Sequence, residues 1–183
     1  MKKLLFILST ITFSMHATDI TLYKYDVHNI LAICAIETTL KTIYLDAFEQ
    51  VYRNHWTAQF EQSYINFFDN HIEKLKHSDG MLLVVAKKDN QVAGWILFQC
   101  YEQSAVIEII CVNPTFQQQG IGKALVFSIK DYTLKIKSVT VATQKINTVS
   151  PLFYEKLGFI KTNSIPSDDN LPYEKQEYEY LIN

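Results

Sequence analysis

The sequence predicts a mixed α/β domain, a sheet with helices on both of its faces, and three observations carry that expectation. Residues 81–112 hold three apolar runs separated by short polar turns, the pattern of an antiparallel meander. Residues 29–77 hold two long stretches whose apolar and aromatic side chains recur at helical spacing. The apolar run 106–112 stops at Asn113-Pro114 and passes through a loop containing Gly120 and Gly122 into a segment where Ile121, Leu125 and Ile129 fall at i, i+4 and i+8.

Residues 20–25 alternate as a first strand. Residues 29–55 read as mainly helical, with Ile36, Leu40, Tyr44, Phe48 and Tyr52 as an i+4 ladder. That ladder faces the core but drifts around the helix axis, so one end can border a pocket. Residues 56–77 read as a second helix with Phe60, Tyr64, Phe67 and Phe68 on its apolar side, stopped by Ser78-Asp79-Gly80. Strands are expected at 81–87, 92–101 and 105–112, with turns at Asp89-Asn90 and at 102–104. A helix at 120–135, a strand at 138–143 and a helix at 149–157 come next. A strand opening at 158–162, a loop at 166–172 and an alternating strand at 173–182 complete the chain.

The junction of strand, glycine loop and helix is suited to anions. The first turn of a helix leaves backbone N–H groups unpaired and carries partial positive charge. Glycine lets the backbone approach a phosphate closely. An isolated Gly-x-Gly also fits an ordinary turn into a helix. A P-loop is excluded because Ala124 follows Lys123 where Ser or Thr is required. A dinucleotide fingerprint is excluded because the loop lies late in the chain and has two glycines.

Two motifs lift this signal. Gln117, Gly120 and Gly122 fit the pattern Arg/Gln-x-x-Gly-x-Gly/Ala after a strand. Further on, Asn147, Ser150, Tyr154, Glu155, Lys156, Gly158 and Phe159 fit Asn-x-x-Ala-x-x-x-Tyr-Glu-Lys-x-Gly-Phe, with Ser150 in the place of Ala. Both motifs, in this order and with a strand between them, resemble the GNAT superfamily of acetyl-CoA-dependent N-acetyltransferases. The resemblance covers roughly residues 18–182. It implies the GNAT fold, a mixed and mostly antiparallel central sheet flanked by helices on both faces, with acetyl-CoA as co-substrate.

The resemblance also implies site roles. Gln117, Gln118, Gln119, Gly120, Ile121, Gly122 and Lys123 would hold the pyrophosphate, mainly through backbone N–H groups. The Lys123 side chain either adds charge there or is a solvated helix residue. Ile110, Cys111 and Val112 would pair with the pantetheine arm, in a slot that opens in the family where this strand splays from its neighbour at a bulge. A backbone N–H near Ile110 or Cys111 would polarise the thioester carbonyl. Tyr154 matches the family's general acid; a phenol with pKa about 10 stabilises a forming thiolate chiefly by hydrogen bonding. Asn147 would contact the pantetheine, cap the following helix, or both. Glu108, the one acid in its apolar strand, is either the base for the incoming ammonium or a solvent-facing position, since it shares a face with Val106, Ile110 and Val112 only if no bulge intervenes. Asp168 and Asp169, between the last two strands, would steer a cationic amine or sit in a solvated turn.

Composition bounds the partners. A chain of 183 residues is one domain, here 18–183, and 48% hydrophobic residues suffice for its core. A net charge of −2 speaks against nucleic acid. Cys34, Cys100 and Cys111 sit in apolar settings without metal-ligand spacing, and the histidines show no ligand pairing, so no metal is expected. Residues 1–17, with Lys2, Lys3 and a short apolar run, read as a signal peptide or apolar leader and are too short for a stable membrane span. This predicts export, with action inside a host cell where acetyl-CoA exists; a start at Met15 would make the protein cytoplasmic. The acceptor is an amine of a small molecule or a protein, and the protein is a monomer or homodimer. The alternatives are a non-catalytic acyl-CoA- or partner-binding module, and an exported effector that acetylates host lysines. Tyr154 and Glu108 in one cleft would favour the enzyme; an open groove would favour a protein acceptor, and a closed aromatic pocket a small amine.

Overall fold

The computed structural model describes residues 20–132, 135–166 and 173–182. The leader at 1–17 and the pair Asp168 and Asp169 lie outside the described residues. Among the described residues seven strands form one sheet: β1 (Ile20–Tyr25), β2 (Met81–Lys88), β3 (Gln91–Cys100), β4 (Ser104–Val112), β5 (Ser138–Gln144), β6 (Ile160–Ile165) and β7 (Lys175–Leu181). The α-helices of the described residues are α1 (Ile30–Tyr52), α2 (Ala58–His77), α3 (Ile121–Tyr132) and α4 (Ser150–Lys156). The strand order is β1-β2-β3-β4-β5-β7-β6, and among the described residues only the β4–β5 pair is parallel. Among the described residues no helix is long and apolar enough to cross a membrane.

Local chemistry explains the boundaries. The helix expected over 29–55 ends at Tyr52, and Arg53–His55 tightens into a 3₁₀ turn. The Thr57 hydroxyl accepts from the Phe60 N–H at 3.2 Å and caps α2 one residue after Trp56. Asp89 and Asn90 take φ of 51° and 59°, the left-handed pair of a two-residue hairpin, so β2 and β3 are joined as tightly as their sequence signals. β6 starts two residues later than expected and runs to Ile165.

The sheet is covered on both faces. On one face α1 and α2 pack Tyr44, Tyr64 and Phe68 onto Leu83, Trp95 and Leu97. The buried Trp95 indole N–H donates to the Leu40 carbonyl at 3.2 Å, tying α1 to β3. On the other face α3 and α4 pack Leu125, Ile129 and Tyr154 onto Val84, Ile96 and Phe98. β2 and β3 therefore bury alternate residues in two different cores.

β4 breaks that regularity. Leu97 pairs with Ile109 but Phe98 pairs with Ile107, so Glu108 is an extra residue opposite the β3 ladder. The bulge reverses the phase of the strand. Before it, Ala105 and Ile107 face the α3/α4 core; after it, Ile109 and Cys111 face α1/α2, while Ile110 and Val112 face α3. Glu108 accordingly lies on the α1/α2 side with Val106, and Ile110 and Val112 are on the opposite face.

Candidate active site

The parallel pairing of β4 with β5 stops at the bulge. Ser104–Ile107 pair with Ser138–Val141; beyond that β4 stays with β3 to Val112, and β5 stays with β7 to Gln144. A slot opens between them. Asn113 N–H donates to the Ala93 carbonyl at 2.9 Å, so strand alternation turns the peptide groups of Cys111 toward β3 and those of Ile110 and Val112 toward the slot. The Cys111 carbonyl lies only 2.8 Å from where a Cβ on Gly94 would stand, which agrees with that direction. The Cys111 thiol is buried against α1, and burial pushes its pKa up.

The glycine loop lies at the wide end of the slot. Gln118 at φ 60° and Gly120 at φ 82° turn the chain into α3, whose first backbone bond runs from Ala124 N–H to Gly120 O at 3.0 Å. The N–H groups of Ile121, Gly122 and Lys123 precede that bond and belong to the open first turn. Open space surrounds the position of a Cβ on Gly120. Gly122 has a different reason to be glycine: a Cβ there would stand 3.1 Å from the Phe153 ring, so it lets α3 approach α4. Gln117 is tied to the end of β4 by Nε2–H to Val112 O at 3.3 Å. Gln119 receives Lys88 Nζ at 2.5 Å, which brings a cation from β2 to the loop. Lys123 instead carries its ammonium over Phe127, 5.8 Å from the ring centroid and one turn along α3.

A cavity of about 200 Å³ runs from the slot to the α1/α2 side, and both Tyr154 and Glu108 line it. Tyr154 is buried, held by Phe153, Phe159 and Tyr178 with ring centroids 5.2, 5.4 and 6.0 Å away. Burial first, and the neighbouring Tyr52 second, hold its phenol well above the usual range. Asn147 is buried too. Its Oδ1 accepts from the N–H groups of Val149 and Ser150 at 3.0 and 2.9 Å, and its Nδ2 donates to Ser150 Oγ at 2.8 Å and Tyr52 Oη at 3.3 Å. These bonds fix the turn into α4 and use the whole amide. Ser150, the departure from Ala in the motif, supplies one of the acceptors.

Glu108 faces His71 of α2. His71 Nε2 is 3.5 Å from Glu108 Oε2, and His71 Nδ1 is 2.8 Å from the Phe67 carbonyl. The ring lies against Phe67, tilted by 32° with centroids 4.1 Å apart. The His71 hydrogen bond holds the Glu108 carboxyl below its usual range; burial opposes this, and the charges of His71, Lys74 and Lys175 add to it. Since Nδ1–H is spent on the Phe67 carbonyl, a proton on Nε2 makes an imidazolium that pairs with Glu108. Above them Tyr44, Phe48, Tyr52, Tyr64 and Phe67 form an aromatic wall. Among the described residues no three His, Cys, Asp or Glu side chains cluster to hold a metal.

His71, Lys88, Tyr52 and Gln144 had no site role on sequence grounds. The Phe67/His71 spacing of i, i+4 on the apolar side of α2 was a usable signal for the first, and the drift of the α1 ladder for Tyr52. Nothing local points to Lys88 or Gln144.

Comparison with known proteins is consistent with this geometry. The profile of a family described as an acetyltransferase (GNAT) domain matches residues 45–179. No curated protein sequence matches the chain. A PaiA N-acetyltransferase from Thermoplasma acidophilum, solved in complex with coenzyme A, superposes with a TM-score of 0.69 at 18% identity, over 89% of this chain and 99% of that one. The ribosomal-protein-S18-alanine N-acetyltransferase from Escherichia coli superposes with a TM-score of 0.59 at 15% identity, over 90% and 94%. A GNAT family acetyltransferase from Elizabethkingia anophelis with acetyl-CoA bound gives 0.53 at 18% identity, over 64% and 82%. At these identities the likeness shows the fold. Together with the family profile, which spans most of the sheet and both motifs, it establishes that the chain belongs to the GNAT acetyltransferase family.

Proposed function

We propose that the protein is an N-acetyltransferase that moves an acetyl group from acetyl-CoA to a primary amine by direct attack in a ternary complex. The observation that carries this reading is the slot opened by the Glu108 bulge, with Tyr154 and Glu108 both lining the same cavity. A shared cleft favours an enzyme over a passive acyl-CoA-binding module. The aromatic wall favours a small amine over a protein lysine, because it offers stacking and cation–π surface.

The residues present suit acetyl-CoA, which supplies a thioester-activated acetyl group. The N–H groups of Ile121, Gly122 and Lys123, with the open space at Gly120 and the cation of Lys88, hold pyrophosphate. The peptide groups of Ile110 and Val112 pair with the pantetheine arm, and the Ile110 N–H polarises the acyl carbonyl. Cys111 contributes through the packing that fixes this strand. Asn147 positions α4 and with it Tyr154. The Tyr154 hydroxyl keeps its proton at any working pH and donates a hydrogen bond to the thiolate as it leaves. Glu108 receives the ammonium and takes its proton, directly or through water. Residues 1–17 serve as an export signal in this reading, tested by the N-terminal sequence of secreted protein.

The test is turnover of acetyl-CoA by the purified protein against panels of small amines, peptides and aminoglycosides, read as thiol release. Thiol release with small amines supports the assignment; none with any acceptor, in protein that binds CoA, refutes it.

A further inference from the structure

We propose that the acceptor carries, besides its primary amine, an oxygen that accepts a hydrogen bond (a hydroxyl, phenol or carbonyl), and that Gln144 reads it. This rests on the reading of the cavity as an acetyl-transfer site and adds the class of acceptor. Gln144 ends β5, is 4% exposed and lines the cavity. Its Oε1 accepts from the Tyr64 hydroxyl at 3.2 Å. Its Nε2 is buried and has no hydrogen-bond partner among the described residues. Buried amide donors are nearly always satisfied, so an unpartnered one on a residue that lines the cavity calls for a partner.

A run of hydrogen bonds links Gln144 to Asn147. Two backbone N–H groups hold Asn147 Oδ1, so Nδ2 must donate to Tyr52 Oη. Tyr52 also hydrogen-bonds Tyr64. The Tyr64 hydroxyl donates to Gln144 Oε1, which leaves Nε2 as the free end of the amide. The run of hydrogen bonds ends in a free N–H donor. It runs along the α1/α2 side of the cavity, the side of Glu108 and the aromatic wall, so the group it meets belongs to the acceptor. Glu108 takes the ammonium; a donor on the neighbouring wall takes an oxygen. A purely hydrocarbon amine would leave Nε2 unpaired, and a site built to hydrogen-bond a substrate group discriminates strongly against analogues lacking it.

The experiment compares matched amines of similar basicity: tyramine against 2-phenylethylamine, and 4-aminobutanamide against pentylamine. kcat/KM is measured for the parent and for Gln144→Met, which keeps side-chain length without the donor; calorimetry measures binding of the same amines to the CoA-loaded parent. The expected result is a preference for the oxygen-bearing member of at least one pair by about tenfold or more, falling to within roughly threefold in Gln144→Met, with CoA affinity unchanged. An indifferent parent overturns the proposal, since water then satisfies Nε2. Weakened CoA binding in Gln144→Met also overturns it, because the donor then serves the cofactor arm. If the parent turns over no amine, the acetyltransferase reading fails by itself; calorimetry still decides this proposal, and binding of neither member, or of both alike, sinks it. Should Gln144→Met not fold, the preference of the parent within each pair is decisive by itself.

Discussion

Tyr154→Phe isolates one hydroxyl. The ring would keep its contacts with Phe153, Phe159 and Tyr178, so folding should change by no more than about 1 kcal/mol. The hydroxyl itself is a poor outright acid, because burial holds its proton far more tightly than a thiol of pKa about 8.5 would accept it. What it can offer is a hydrogen bond that strengthens as negative charge grows on sulfur. Hydrogen bonds to charged groups contribute about 1.5–3 kcal/mol. At 1.36 kcal/mol per tenfold, that converts to a loss in kcat of roughly ten- to 150-fold. CoA affinity should stay nearly intact, since the charge exists only as the bond breaks. Single-turnover kinetics with thiol detection, beside calorimetric CoA titration, separate the two. The parent should also show no loss of rate from Tyr154 ionisation up to about pH 10. A variant turning over at the parent rate would make the hydroxyl structural, and one losing CoA affinity in proportion to rate would make it a ground-state contact.

Glu108→Gln should shift the pH–rate profile to higher pH, because free amine must then come from solution; an unchanged profile places the base elsewhere. The same variant carries a stability signature. The depressed Glu108 carboxyl favours the fold above its ordinary pKa of about 4.3 and loses that contribution as pH falls, so melting temperature should drop less between pH 5 and 3 in Glu108→Gln than in the parent. Gly120→Glu sets a carboxylate in the open space at the helix start and should abolish detectable CoA binding in a folded protein; unchanged calorimetric affinity would remove the loop from the site. Gly122→Ala should fail differently: helix propensity favours it by up to about 1 kcal/mol, but the 3.1 Å approach to Phe153 opposes this and presses on the neighbour of Tyr154. A lowered kcat with CoA affinity retained is expected, and loss of affinity with kcat retained would refute the packing role.

What was readable from the sequence is what local chemistry dictates. Asp89-Asn90 names its own turn, the i+4 recurrence of Ile121, Leu125 and Ile129 names a helix face, and the two motifs name the family. The stop of α1 at Tyr52 was less visible, because the next i+4 position, Trp56, is again aromatic and no Gly or Pro stands between them to mark the end. The resemblance implies a bulge on this strand, but its place at Glu108 was invisible. A bulge is a mismatch of count between two strands, and Ser104–Val112 by itself reads as one unbroken run. The partners of the site residues come from far along the chain: His71 from α2 and Lys88 from β2 reach their places through the tertiary fold. Asn147 shows a further limit. Its motif position was legible, but not that four hydrogen bonds consume its amide.

The phase reversal in β4 has a consequence for how function and folding divide the chain. Remove Glu108 in thought, and Ile107 is followed directly by Ile109. The alternation between the two cores then runs unbroken, with each apolar side chain on the face it already occupies. The surplus residue therefore serves no packing need. Its presence ends the parallel pairing with β5, and its side chain is the only acid of the strand, so a single codon supplies both the doorway and a reactive group behind it. A relative lacking this one residue could keep its sheet, its cores and its recognisable motifs while having no opening through which to act.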